Sequence, residues 1–253
     1  MTRLRGLLLL LLAPLVMAQA EPKLVPGVSQ RQVEIRYSFT GAELLLFGAI
    51  LYPGGRVPDD PADIVVVVKG PVEPIIVREK QKVAGIWMTV ESERFRSAPS
   101  YYAVASSSPL SELVDERIAA IYELGLDNIQ LSPGAGATPK EQQRFSTGLV
   151  DLMRRQQLYS EKPDGVEITS GVLYRARLSI PARVPVGNYT AETFLIQDGR
   201  VVAAAVREIR IEKLGFERFV AEAADRWSFV YGLVAVIVSL FLGWSASALF
   251  RRT

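Results

Sequence analysis

From Phe229 to Phe250 the chain carries no charged side chain. At about 1.5 Å of rise per residue, that run makes roughly 33 Å of helix, enough to cross the hydrocarbon core of a bilayer. No other feature constrains the fold as much, because a lone segment in lipid can satisfy its own backbone hydrogen bonds only as a helix. Trp227 and Tyr231 stand at one end of the run and Trp244 near the other. Such amphipathic rings favour the two membrane–water interfaces. Arg251 and Arg252 follow, and the positive-inside rule sets the tail 251–253 in the cytoplasm. The expectation is one transmembrane helix over 227–250.

The opposite end reads MTRLRGLLLLLLAPLVMAQAEP. Arg3 and Arg5 make a charged start, and Leu7 to Val16 an apolar core too short to span comfortably. Ala18-Gln19-Ala20 is a small-x-small cleavage site. These features mark 1–20 as a signal peptide, either removed before Glu21 or kept as an anchor. No cysteine follows, so lipoprotein processing is excluded. The main body, 21–213, is expected on the periplasmic face of a bacterial inner membrane. The lack of cysteine suits that setting, since extracellular eukaryotic domains of this size often carry a disulfide.

Charge excludes one class of partner. The sequence has 29 Lys and Arg and 27 Asp and Glu. Two basic residues lie in the leader and two in the tail, so the body between holds 25 basic against 27 acidic residues, a net of −2. A nucleic-acid binder needs a clustered basic face, and none is visible.

The body reads as β. In VEIRYSF, Val33, Ile35, Tyr37 and Phe39 alternate with polar residues, the period of a half-buried strand. Thr40-Gly41-Ala42 suggests a turn, with Glu43 to Leu51 returning as the partner strand. DIVVVVKGP, EPIIVREK, VAGIWM and YYAVASS read as further strands. Past the middle, Val172, Tyr174, Ala176, Leu178 and Ile180 share one strand face, and Asp198-Gly199 is a strong two-residue hairpin signal. Pro185 to Tyr189 resembles the corner that introduces a strand in immunoglobulin-like sandwiches. Two helices interrupt the strands. One runs over 109–124, with Leu110, Leu113, Val114, Ile118, Ile121 and Tyr122 on one face and Gly125 closing it. The other runs over 139–159 behind a Thr138–Glu141 capping box, with Phe145, Leu149, Leu152, Met153 and Tyr159 on its stripe. The fold class is therefore mainly β, an immunoglobulin-like β-sandwich with two inserted helices, arranged as one sandwich or two. A connector over 214–226 leads into the membrane.

Five ordered blocks, FTGAELLLFGAI, DIVVVVKGP, VAGIWM, YYAVASSSPL and LGLDNIQL, resemble the alphaproteobacterial transmembrane protein family with a single C-terminal span. The resemblance covers essentially the whole mature chain. It implies inner-membrane anchoring, a periplasmic domain and a gene encoded beside permeases of the sulfite-exporter type. It carries no catalytic residues.

The chain has no histidine and no cysteine. A Ser-His-Asp triad, a thiol nucleophile and the usual zinc sites are therefore excluded. No cofactor is expected. Pro133-Gly-Ala-Gly136 lacks the lysine and serine of a phosphate-binding loop. Asp59, Asp60 and Asp63 lack calcium-loop spacing and read as a solvated loop. Glu43 reads as a solvated position beside a turn. Lys69 and Ser106 to Ser108 form no recognisable dyad. Asn188-Tyr-Thr matches a glycosylation acceptor, which carries no weight in a bacterium. Of the adjacent Tyr101 and Tyr102 one is expected to point into the core, and Trp87 is expected there too. An enzyme is not expected.

Ala235, Ser239, Gly243 and Ser247 recur every four residues and so share one face of the membrane helix. Small side chains there let another backbone approach closely. The expected function is a non-catalytic accessory subunit of a membrane partner, either a second copy or a multi-span permease. The alternative is an anchored domain that binds a small ligand or a cell-envelope polymer.

Overall fold

A computed structural model describes residues 22–29, 32–36, 41–134, 136–214 and 224–250. Strands from before and after the inserted helices interleave in the same sheets, so the body is one sandwich. The first sheet has the order β1 (Lys23–Val28), β3 (Ala42–Leu51), β11 (Leu173–Ile180), β10 (Val166–Thr169), and every pairing is antiparallel. The second runs β2 (Gln32–Arg36), β13 (Arg200–Leu214), β12 (Gly187–Gln197), β4 (Asp63–Lys69), β7 (Tyr102–Ser106), β9 (Tyr159–Lys162). Its β2–β13 and β7–β9 pairings are parallel.

Alternation builds the core. In β11, Tyr174, Ala176, Leu178 and Ile180 are buried while Leu173, Arg175, Arg177 and Ser179 are exposed. In β3, Leu44, Leu46 and Ile50 point the same way, and Gly48 leaves room for Tyr174. A Cβ at Gly48 would lie 2.6 Å from the Tyr174 hydroxyl and 2.5 Å from the Val25 carbonyl oxygen. The sheets are also stitched together: the Tyr101 hydroxyl donates to the Ser179 carbonyl at 2.8 Å.

The run Ile64 to Val68 is buried throughout because it is covered on both faces. Ile64, Val66 and Val68 face the first sheet with Ala191, Thr193 and Leu195 of β12. Val65 and Val67 share the other face with Phe194. There Tyr122 meets Phe194 edge-on, with ring centroids 5.5 Å apart.

Three expectations change. VEIRYSF and Glu43–Leu51 are not a hairpin: β2 joins β13 in the second sheet, while β3 lies in the first between β1 and β11. Of the turn expected at Thr40-Gly41-Ala42, Thr40 lies outside the described residues, as do the last strand residues 37–39, while Gly41 has φ 69° and Ala42 opens β3. The strand β1 went unread because it contains Pro26 and Gly27. It is an edge strand, where a missing N–H costs the ladder little.

The helix expected over 109–124 is two short ones, α1 (Leu110–Leu113) and α2 (Glu116–Ile121). Val114 is extended between them, and the Asp115 carboxylate caps α2 by accepting from the Ile118 N–H at 2.7 Å. The split turns Leu113 and Val114 inward and leaves Ile121 exposed. The second helix, α3 (Pro139–Arg155), begins at the expected capping box and buries Phe145, Leu149 and Met153. It ends at Arg155, so Tyr159 belongs to β9, and within it Leu152 is exposed because it lies off the four-residue stripe of Phe145, Leu149 and Met153. The apolar segment near the C-terminus is a helix, α4 (Ser228–Phe250), and its stretch Ser228–Ser245 is not buried by the rest of the described chain.

Candidate functional site

Ala235, Ser239 and Gly243 lie at four-residue spacing in α4. The Ser239 hydroxyl donates to the Ala235 carbonyl at 2.8 Å, so it is satisfied within its own helix. A Cβ at Gly243 would meet nothing within 4 Å. The face is thus smooth and open to a second backbone, and its capacity for contact lies in close packing rather than in a free hydroxyl. Ser247 belongs to the helix, but its side chain lies outside the described residues, as do Arg251 and Arg252. Trp227, Tyr231 and Trp244 are exposed.

The third sheet carries a surface that sequence reasoning missed. Its strands β5 (Val72–Val83) and β6 (Ile86–Pro99) form a long hairpin, edged near its base by the two-residue β8 (Ser132–Pro133). VAGIWM, expected as one strand, holds the turn: Ala84 has φ 48° and Gly85 φ 87°, the two left-handed residues a tight hairpin needs. The base of the arm is fixed. Phe95 is buried, and the Glu93 carboxylate accepts from the Gly134 N–H at 2.8 Å. That bond also occupies an amide of the glycine-rich loop.

Farther out, Glu79 and Glu91 face each other across the strands. Arg144 of α3 bridges this like-charged pair, binding Glu79 at 3.2 Å and also binding Glu91. Beyond Arg144 every residue from Lys80 to Ser92 is exposed. Ile86 is 67% exposed, Trp87 68%, Met88 52%, Val83 46% and Val90 40%. The expected burial of Trp87 is therefore wrong: it stands two residues past the turn, where the arm has left the core. The cross-strand register puts Val83, Ile86, Gln81 and Met88 on one face of the tip, and Lys82, Trp87, Lys80 and Thr89 on the other. The available signal was the Ala-Gly pair between two β-rich runs.

The other residues singled out from the sequence are dispersed. Tyr101 and Tyr102, of which one was expected to point inward, are both fully buried, and the Tyr102 hydroxyl donates to the Glu123 carbonyl at 2.6 Å. Burial pushes the ionisation of both phenols well above the ordinary tyrosine range. Glu43 is on the outer face, 3.9 Å from Arg177. Asp59 and Asp60 are exposed, and Asp63 accepts from the Ser107 hydroxyl at 2.6 Å. Lys69 binds Glu123 at 3.0 Å and Glu192 at 3.2 Å. Ser106 pairs with Val65, four positions along the strand from Lys69, or roughly 13 Å away. The lysine does not meet a serine. It instead borders a groove of about 250 Å³ with Tyr122, Phe194 and Val206.

The profile of the family described as "Putative transmembrane protein (Alph_Pro_TM)" matches residues 23–252. No curated protein matches the chain. Among solved structures, Spo0M, the sporulation control protein of Bacillus subtilis, is similar at 11% identity and a TM-score of 0.33, covering 82% of this chain and 56% of its own. A family 123 glycoside hydrolase from Clostridium perfringens is similar at 8% identity and a TM-score of 0.24, covering 76% of this chain and 27% of its own. The chain thus spans little more than half of the first and about a quarter of the second.

Proposed function

The chain belongs to the Alph_Pro_TM transmembrane protein family, and from that membership we propose that it is a non-catalytic accessory subunit that packs its membrane helix against a multi-span permease. The observation that carries this reading is the open face of α4, where Gly243 and its small neighbours are covered by nothing in the described chain. In this reading the β-sandwich is immunoglobulin-like and periplasmic, and the C-terminus is cytoplasmic. The hydroxyl of Tyr189 supports the immunoglobulin-like description by folding back onto the Pro185 carbonyl at 2.7 Å, a tyrosine corner.

The test is purification in mild detergent, comparing wild type with Gly243→Leu by mass spectrometry. A permease that accompanies the wild type and is lost from the variant supports the proposal. A wild type that purifies alone and monomeric overturns it. Cross-linking between copies that Gly243→Leu abolishes would replace the permease with a second copy of this chain.

The groove beside Lys69 favours a second reading, an anchored domain that binds a small ligand. Lys69 could meet an anionic group by exchanging a carboxylate partner, with Tyr122 and Phe194 supplying an apolar wall. That reading requires full function when Ser228–Phe250 is replaced by an unrelated span, and loss of function in Lys69→Ala.

A further inference from the structure

We propose that the tip of the β5–β6 arm is a second membrane contact, dipping into the interface of an anionic bilayer next to the anchoring helix. The inference rests on the chain's being membrane-anchored by α4, and not on what that helix packs against.

Composition comes first. Between the Glu79–Glu91 pair and the turn, the tip reads KQKVAGIWMTV, with two lysines and no acid. Val83, Ile86 and Met88 form one apolar face, while on the other Trp87 stands directly across from Lys82, with Lys80 on the same face opposite Thr89. An apolar wedge, an indole and flanking lysines suit the headgroup boundary. There the ring lies among glycerol and headgroup atoms, and the ammonium groups stay in water against lipid phosphates. A protein interface would more often deplete lysine from its centre.

Geometry comes second. Arg144 grips the arm at Glu79 and Glu91, so about 15 Å of hairpin stands free beyond it. Interfacial elements bury their apolar face by only about 5–10 Å, which that length exceeds. The tether comes third. Nine residues, 215–223, separate Leu214 of β13 from Ala224, and the ten Cα steps between them span at most about 36 Å. The sandwich is therefore held close to a bilayer, and reaching it costs the tip little translational freedom.

The experiment uses the full chain carrying Trp227→Phe and Trp244→Phe, so that Trp87 is the one remaining indole. It is placed in phosphatidylcholine nanodiscs with and without phosphatidylglycerol. The expected result is blue-shifted Trp87 emission, quenched by lipids brominated along the acyl chain, and stronger when phosphatidylglycerol is present. Lys80→Glu with Lys82→Glu should reduce the docked fraction in the anionic discs. Two lysines at such a surface favour contact by roughly thirty-fold. Trp87 emission typical of water, without quenching in either disc, overturns the proposal. Protection of Trp87 that needs a co-reconstituted permease and leaves brominated lipid without effect also overturns it, and assigns the tip to a protein. Circular dichroism unchanged by the lysine substitutions separates a charge effect from misfolding. The Gly243→Leu outcome is read on a different element, so either idea can fail alone.

Discussion

Gly48 shows what a single missing side chain can do. In the sequence it interrupts the apolar run from Leu44 to Leu51. In the fold it admits the phenol of Tyr174 from β11 and lets the β1 backbone pass. Gly48→Ala should destabilise the domain by about 1–3 kcal/mol, the usual cost of overpacking a filled core. Urea unfolding would measure it, and a midpoint equal to wild type would show that Tyr174 yields easily. Tyr189 is legible at this scale because its corner is local: donor and acceptor are four residues apart. The Tyr101 hydroxyl, by contrast, finds Ser179 across 78 residues, and nothing near Tyr101 announces that partner.

At the scale of elements, local signals held wherever the stabilising contact was local. The Thr138–Glu141 capping box starts α3, and Asp198-Gly199 turns β12 into β13 with φ of 50° and 72°. The arm was harder, since its strands resemble core strands until their surroundings are known. Arg144 ties it to α3 through Glu79 and Glu91. Arg144→Ala leaves Glu79 opposite Glu91 without a bridging cation, and amides from Lys80 to Val90 should exchange a few-fold faster. Solvent-exposed ion pairs of this kind contribute little, which keeps the expected effect small. Hydrogen exchange followed by mass spectrometry would read it, with β12 and β13 as the unchanged reference. Equal protection in the variant would show that the Arg144 bridge does not hold the arm.

For the whole molecule, buried phenols set the response to alkali. Tyr101, Tyr102, Tyr159 and Tyr189 are each raised well above the ordinary value near 10, and burial is the main cause. Above pH 10 the unfolded chain releases these protons while the folded chain keeps them. Their contribution is therefore complete below pH 10 and falls as pH rises beyond it. Each tyrosine that ionises only on unfolding removes about 1.4 kcal/mol per pH unit there. The urea midpoint should be nearly flat up to about pH 9 and drop steeply by about pH 11, on either side of the ordinary tyrosine value. A flat midpoint across that range would mean that the phenols ionise in the folded state.

The sequence alone determined the membrane helix, the β character of the body and the alternation of β11. These follow from run length and period, which neighbouring residues decide among themselves. It also carried the small-residue face of α4, since four-residue spacing on a helix needs no tertiary information. Only the tertiary structure decided that β2 and β3 part into different sheets, that the strands close one sandwich, and that Trp87 stands outside the core. Those outcomes depend on which distant strand completes an edge and on where a hairpin outgrows the core. Such choices turn on contacts across the whole chain, and a local pattern of apolar residues reads the same on either side of them.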